Sequence, residues 1–402
     1  MNFEEIRRRE AERFLPGIPR LPVAIVSGQG ARVRDVAGRE FVDLTAGWGV
    51  LALGHSHASL VEAIRSQAGR LMQTTNLFYT LPQLDLCDAL TEIAPAALTR
   101  SFFVSSGSEA VEGAVKLAHR ASGRRKFVSA TGGFHGRTLG ALQLVGQAKH
   151  RDPYRALLPE PVLVPYGDAD AAAAAVDGDT AALIVEPLQG EGGVNPPPPG
   201  YLQRLRQLTQ DAGALLILDE VQTGIGRTGR MLALEHEGVI PDVLVLGKGL
   251  GGGFPIAAFM FSEAVAETVA PGDHGGTYAG NPLACAAACA TLRAVQEEKL
   301  PARAARLGEA LLAMLGEFAA AHPRAAGPPR GRGLLIGLPL GDGQAAQTLA
   351  QRAIEAGVLV NITTGPTPAG GTVPVMRLFP PLNIPEDELF GAVEKLLQLL
   401  RD

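Results

Sequence analysis

The sequence predicts an α/β fold, a large domain around a mostly parallel sheet with a second, smaller αβ layer. Three observations carry this. The apolar runs 215–218 and 243–246 are continuous, β-rich and too short for helices, so they read as strands buried on both faces. Segments 102–121 and 126–142 repeat one design, a strand followed by a glycine-rich turn and a helix. After Leu292 the character changes to helices and strands that form a further layer.

Composition narrows the function classes. The chain has 402 residues, 46% of them hydrophobic, which is ample for one large domain and a smaller one. Its net charge of −5, from 36 basic and 41 acidic residues, does not indicate a broad basic face for nucleic acid. Cys87, Cys285 and Cys289 fit neither a metal spacing nor a secreted disulfide framework. The charged N-terminus lacks the apolar stretch of a signal peptide, and no run approaches the roughly 18 apolar residues of a membrane span. The expectation is a soluble cytoplasmic enzyme.

Taken in order, residues 20–45 alternate apolar and polar between Gly-Gln-Gly and Ala-Gly-Arg turns, which predicts an antiparallel meander. A helix is expected over 58–72. Trp48, the one tryptophan, reads as a packing residue or, with a glycine on either side, as a ring facing a cavity, and Pro82 opens another helix. Strand 102–104 runs into Ser-Ser-Gly-Ser and a helix whose free N–H groups and dipole attract anions. Gly107 admits close approach there. Ser108 offers N–H and hydroxyl, or acts merely as a cap. In the next turn Phe134 suits a flat ring and Arg137 a carboxylate, while His135 reads equally as structural or catalytic. Strand 181–186 ends in Glu186, and Glu191 among glycines is placed to meet a cation.

A helix over 200–212 leads to the central stretch. Asp219 ends the first apolar run, and Lys248 follows the second after one glycine. Ligands collect at the carboxyl ends of strands in open α/β sheets, so these two charges are candidates for chemistry. One reading is a satisfied ion pair. The other uses the space that Gly249–Gly253 clears around the amine. A lysine there can form a Schiff base, and a buried carboxylate can hold a pyridinium nitrogen protonated, which together describe a pyridoxal phosphate site. Gly224, Gly226 and Gly229 spell G-x-G-x-x-G, a dinucleotide-binding pattern, but five residues separate them from the strand. Thr277 is a candidate phosphate ligand in a loop that enters a helix at Pro282. Beyond it come a helix over 292–320, strands within 324–340, a helix over 345–356, strand 358–362, loop 363–375, strand 375–384 and a last helix from Glu386. Arg377, inside an apolar strand, is costly to bury unpaired and should face Glu191 or a substrate carboxylate.

The order Ser-Gly-Ser, Gly-Phe-His-Gly-Arg-Thr, Glu-Pro-Leu-Gln-Gly-Glu-Gly-Gly, Asp-Glu-Val-Gln-Thr-Gly, Gly-Lys-Gly and Gly-Gly-Thr-Tyr-Ala-Gly-Asn-Pro resembles the class III aminotransferases, over essentially the whole chain. The resemblance implies a fold-type I pyridoxal phosphate enzyme. Residues 51–291 would form the large domain, and 1–50 with 292–402 the small one. Within the class, residues 76–84 and the Arg377–Ile384 segment look like enzymes that act on N2-acetylornithine. By resemblance, Lys248 carries the cofactor and shuttles a proton, and Asp219 pairs with the ring nitrogen. Val221 and Phe134 sandwich the ring, with Gln222 near its phenolic oxygen. Gly107 and Ser108 bind phosphate, joined by Thr277 from the other subunit of a homodimer. Arg137 holds the donor's α-carboxylate. Arg377 holds that of 2-oxoglutarate or glutamate, with Glu191 neutralising it in the other half-reaction. Gly276 departs from the Ser or Thr usual before the phosphate threonine, leaves only backbone for substrate, and resembles 4-aminobutyrate enzymes. An aminoadipate-pathway substrate is a further alternative. Trp48 stands where related ornithine enzymes place a tyrosine, which argues against free ornithine.

Overall fold

The computed structural model describes residues 1–341, 344–367 and 371–401. Its centre is a seven-stranded sheet in the order Arg100–Val104, Ala257–Phe261, Val243–Leu246, Leu215–Asp219, Thr180–Val185, Lys126–Ala130 and Val162–Val164. The last five are parallel. Ala257–Phe261 runs against both of its neighbours. Arg100–Val104 therefore points the same way as the parallel five, and six strands deliver their carboxyl ends to one edge.

The continuous apolar runs follow from burial on both faces. Leu216, Leu218, Leu244 and Leu246 enter one core with Leu202 and Leu205 of helix Tyr201–Ala212. Ile217, Val243 and Val245 enter the other with Ala110, Val111 and Ala114 of helix Gly107–Ser122. That helix lies close to the sheet because Gly113 faces the Phe259 ring, which a Cβ would meet at 2.3 Å.

Two four-stranded sheets flank this core. The meander of Ile25–Gln29, Arg32–Asp35 and Glu40–Asp43 is completed by Val358–Leu359, parallel to its last strand. Arg330–Arg332, Leu335–Pro339, Thr372–Leu378 and Asn361–Pro366 form the other, antiparallel throughout.

Several expectations change. The strand expected over 358–362 is two strands in two different sheets, divided at Val360. The loop expected over 363–375 contributes strand residues at both ends, and its residues 368–370 lie outside the described residues. The strand expected to run to 384 ends at Leu378, before Pro380 and Pro381 remove ladder donors. The helix expected over 58–72 stops at Ala68, ahead of Gly69. The helix expected over 292–320 is two helices, Pro282–Glu297 and Leu300–Ala321, broken at Lys299 with φ 52°. Leu292, where the character changes, lies inside the first of them. Trp48 is not a packing residue: it is 46% exposed with φ 65°. No helix among the described residues is long and apolar enough to cross a membrane.

Candidate active site

Most of the functional side chains come from the carboxyl edge of the seven-stranded sheet, and Arg377 comes from the antiparallel sheet beside it. Arg100–Val104 leads into helix Gly107–Ser122, which Ser106 caps in a reciprocal box with Glu109. The Glu109 carboxylate also accepts the N–H groups of Ser105 at 2.7 Å and Ser106 at 3.1 Å. The N–H groups of Gly107 and Ser108 have no hydrogen-bond partner among the described residues, and both residues line a cavity. Gly107 has no room for a side chain, since a Cβ would lie 2.9 Å from Val221 Cγ1.

The turn after Lys126–Ala130 is tied to three other strand ends. Phe134 N–H donates to Glu186 Oε2 at 3.1 Å, His135 Nδ1 meets Asp219 Oδ2 at 2.8 Å, and Arg137 N–H donates to Ser108 Oγ at 3.1 Å. The Arg137 guanidinium, exposed, lies over the Phe134 ring at 5.5 Å. Asp219 Oδ1 also accepts the Val221 N–H at 3.0 Å, so the carboxylate is held on two sides.

Burial sets the charges here. Desolvation disfavours the His135 imidazolium, but the hydrogen bond and charge of Asp219, with the charge of Glu186, outweigh it and raise its pKa. Glu186 is pushed up to about 7 by burial, against the lowering pull of His135. Lys248 is lowered, first by desolvation and also by Arg377, while Glu191, Glu186 and Asp219 oppose the shift. Glu191 is lowered: burial opposes this, but Arg377 and Lys248 prevail. Its carboxylate meets Arg377 Nη1 at 2.8 Å, and Arg377 is 2% exposed. The sequence left open whether these two touch, and they do.

Gly107, Ser108, Phe134, Glu191, Asp219, Val221, Gln222 and Lys248 line one cavity of about 180 Å³ together with Ser106, His135, Gly136 and Glu186. Arg377 joins it through Glu191, and Arg137 sits outside it against Phe134. Gly276 and Thr277 lie on an exposed loop that the chain does not bring to this cavity, with the Thr277 carbonyl bonded to Gln73. The ion-pair reading of Asp219 and Lys248 is overturned. Asp219 pairs with His135, and the Lys248 amine has no hydrogen bond or ion pair among the described residues. The dinucleotide turn also fails, because a Cβ at Gly226 or Gly229 would strike Leu382 at 3.0 Å or Ala305 at 2.9 Å, leaving no open face for phosphates. The reading also missed Asn361, which holds Arg377. A strand-end acid signalled Glu186, but nothing in the sequence marks which strand lies beside Arg377.

The lining fits pyridoxal phosphate. A half-buried amine without a hydrogen bond, a fixed carboxylate and the start of a helix line the cavity together with Phe134 and Val221. His135 Nε2 and Gln222 Oε1 are buried without a partner. No group of side chains suited to a metal ion occurs among the described residues.

Comparison with known proteins agrees with this geometry. The pattern of the family described as aminotransferase class-III matches residues 16–400. An acetylornithine aminotransferase of Methanopyrus kandleri is 48% identical over 382 residues, 95% of each chain. One from Mycobacterium tuberculosis is 46% identical over 94% of this chain and 92% of its own. Among solved structures, the ornithine aminotransferase of Toxoplasma gondii superposes with a TM-score of 0.93 at 34% identity, covering 100% of this chain and 95% of its own. The acetylornithine aminotransferase of Elizabethkingia anophelis gives 0.85 at 32% identity, over 100% and 99%.

Proposed function

The chain belongs to the class III aminotransferases, a pyridoxal phosphate-dependent family of fold-type I, and from that membership we propose that it moves the terminal amine of N2-acetyl-L-ornithine to 2-oxoglutarate. The products are N-acetyl-L-glutamate 5-semialdehyde and L-glutamate, a step of arginine biosynthesis. One observation carries the reading. The unpaired Lys248 amine shares its cavity with Glu191, a carboxylate already held by Arg377. Such a pocket suits two substrates that present different ends in turn.

Pyridoxal phosphate bound here supplies an electron sink for the carbon that bears the transferred nitrogen. Lys248 Nζ, which desolvation favours as the neutral nucleophilic amine, would hold the cofactor and would carry the proton at that carbon. Asp219, anchored by His135 and the Val221 N–H, keeps the ring nitrogen protonated. Phe134 and Val221 would flank the ring, with Gln222 near its phenolic oxygen. The free N–H groups of Gly107 and Ser108 bind phosphate at the positive end of their helix. Arg137 orients the donor's α-carboxylate. Arg377 takes the carboxylate of the oxo acid once Glu191 withdraws, and Glu191 cancels its charge when the donor occupies the site.

A homodimer completes the reading, with Thr277 of the second copy on the phosphate and the Gly276 backbone beside the substrate. Support comes from exposed apolar residues at 77–84, where Leu77, Phe78 and Leu81 are 84%, 63% and 75% exposed. Residues 51–291 make the large domain, and 1–50 with 292–402 the small one, supported by the pairing of Glu40–Asp43 with Val358–Leu359. The unpaired thiols Cys87, Cys285 and Cys289 support a cytoplasmic location.

An absorbance spectrum tests the chemistry. The protein with pyridoxal phosphate should be yellow, lose that band with N2-acetylornithine alone, and regain it with 2-oxoglutarate. Lys248→Ala should abolish turnover. Absence of a visible band after cofactor addition sinks the reading. Faster bleaching with 4-aminobutyrate transfers the substrate to that amine, the alternative that Gly276 favours.

A further inference from the structure

The Arg377 guanidinium has two edges that can each grip a carboxylate, one made by Nε with Nη2 and one by Nη1 with Nη2. Asn361 occupies the first. Its Oδ1 accepts from Nε at 2.8 Å and also from Nη2. The sheet dictates this, because Asn361 and Arg377 are register partners on adjacent antiparallel strands. Nη1 belongs to the second edge and meets Glu191 Oε1 at 2.8 Å and the Gly190 carbonyl at 3.3 Å. The Phe379 ring covers one face, 4.9 Å from the guanidinium carbon. The same strand pins the competitor's backbone, since Thr363 Oγ1 donates to the Glu191 carbonyl at 3.3 Å. One edge and one face of Arg377 are thereby taken, and the other edge is now filled by the Glu191 side chain.

We propose that Asn361 is a positioning and specificity residue for the oxo acid, a neutral amide that closes one edge of Arg377 without cancelling its charge. A single carboxylate site remains, so Glu191 and the incoming oxo acid exclude one another rather than binding side by side. Neutrality is central. A carboxylate at position 361 would hold the guanidinium equally well but would discharge it permanently. An apolar residue would leave the edge open, and Glu191 could then slide onto it and keep its grip while the other edge is used. With Thr363 holding the Glu191 backbone, the exchange is confined to that side chain.

This inference rests on the transaminase reading, and its test separates the two. Asn361→Asp and Asn361→Ala are compared with the unaltered protein, with cofactor, in each half-reaction alone. Bleaching by N2-acetylornithine in the unaltered protein checks the transaminase reading by itself. With that established, Asn361→Asp should raise the KM for 2-oxoglutarate at least about tenfold, the loss expected when an arginine that binds carboxylate is already paired. The KM for N2-acetylornithine should change by much less. Asn361→Ala should also raise the 2-oxoglutarate KM, by a smaller factor. If Asn361→Asp instead restores the affinity that Asn361→Ala loses, the residue only props Arg377 in place and the proposal fails. It fails equally if both half-reactions weaken by the same factor.

Discussion

His135→Ala removes the imidazole that hydrogen-bonds Asp219 at 2.8 Å, in a place where the two are only 3% and 4% exposed. Taking one partner from a buried pair costs about 3–5 kcal/mol, because the remaining charge stays desolvated. Asp219 keeps the Val221 N–H at 3.0 Å, so the lower figure applies, about 3 kcal/mol. At about 2 °C per kcal/mol for a large chain, the protein without cofactor should melt roughly 6 °C lower. The sign of the pH dependence follows from the raised pKa of His135. Its contribution is complete below the unfolded value near 6.5 and is lost as pH rises through the folded value. The gap between the two proteins should therefore be widest near pH ~6 and narrow toward pH ~9. His135→Asn keeps a donor without the charge, and should recover part of the melting temperature but not the pH dependence. Thermal unfolding across that range reads both. A gap that is flat or widens with pH, or a loss under about 1 °C, refutes the assignment of His135 as the charged partner of Asp219.

Glu191→Gln should tighten 2-oxoglutarate about tenfold by removing the carboxylate that competes for Arg377, and weaken use of N2-acetylornithine; half-reaction rates with each substrate check this. Gly107→Ala drives a methyl to 2.9 Å from Val221 Cγ1 and should weaken cofactor binding about tenfold. Fluorescence titration reads that loss, and a Val221→Ala background should reduce it. Glu220 is buried with a pKa near 7, raised by desolvation, and accepts the N–H groups of Ala233 at 2.6 Å and Leu234 at 2.7 Å. A raised acid stabilises fully below its unfolded value and progressively less as pH rises through about 7. Glu220→Gln should accordingly lower the melting temperature most near pH ~5, with the deficit shrinking by pH ~8.

The candidate site was legible where a charged residue stands at a strand end. Asp219, Lys248 and Glu186 could be placed because a buried run that stops at a charge marks the carboxyl edge of a parallel sheet. Gly107 and Ser108 were legible because a helix start exposes N–H groups wherever it occurs. Asn361 was not, since its role exists only when two strands far apart in sequence fall into register. His135 was ambiguous for the same reason, as its partner Asp219 sits two strands away in the sheet. The strand Ala257–Phe261 was missed because its alternation is hidden by burial on both faces, three residues after a glycine run that reads only as loop. The division of 358–362 was invisible to propensity, which cannot say that one apolar run changes sheets at Val360.

That last division also sets an order of events during synthesis. Val42 pairs with Val358, so the N-terminal meander leaves the ribosome long before its fourth strand exists. At about 5–20 residues per second, roughly 15–60 s separate the two. Through that interval the backbone of Glu40–Asp43 stands as a bare sheet edge, a template that any other nascent strand can join. The large sheet between them can close first from its own residues, whereas the piece made earliest finishes among the last. A defect that stalls the chain before Val358 would thus be felt at the opposite end, as aggregation through residues 40–43.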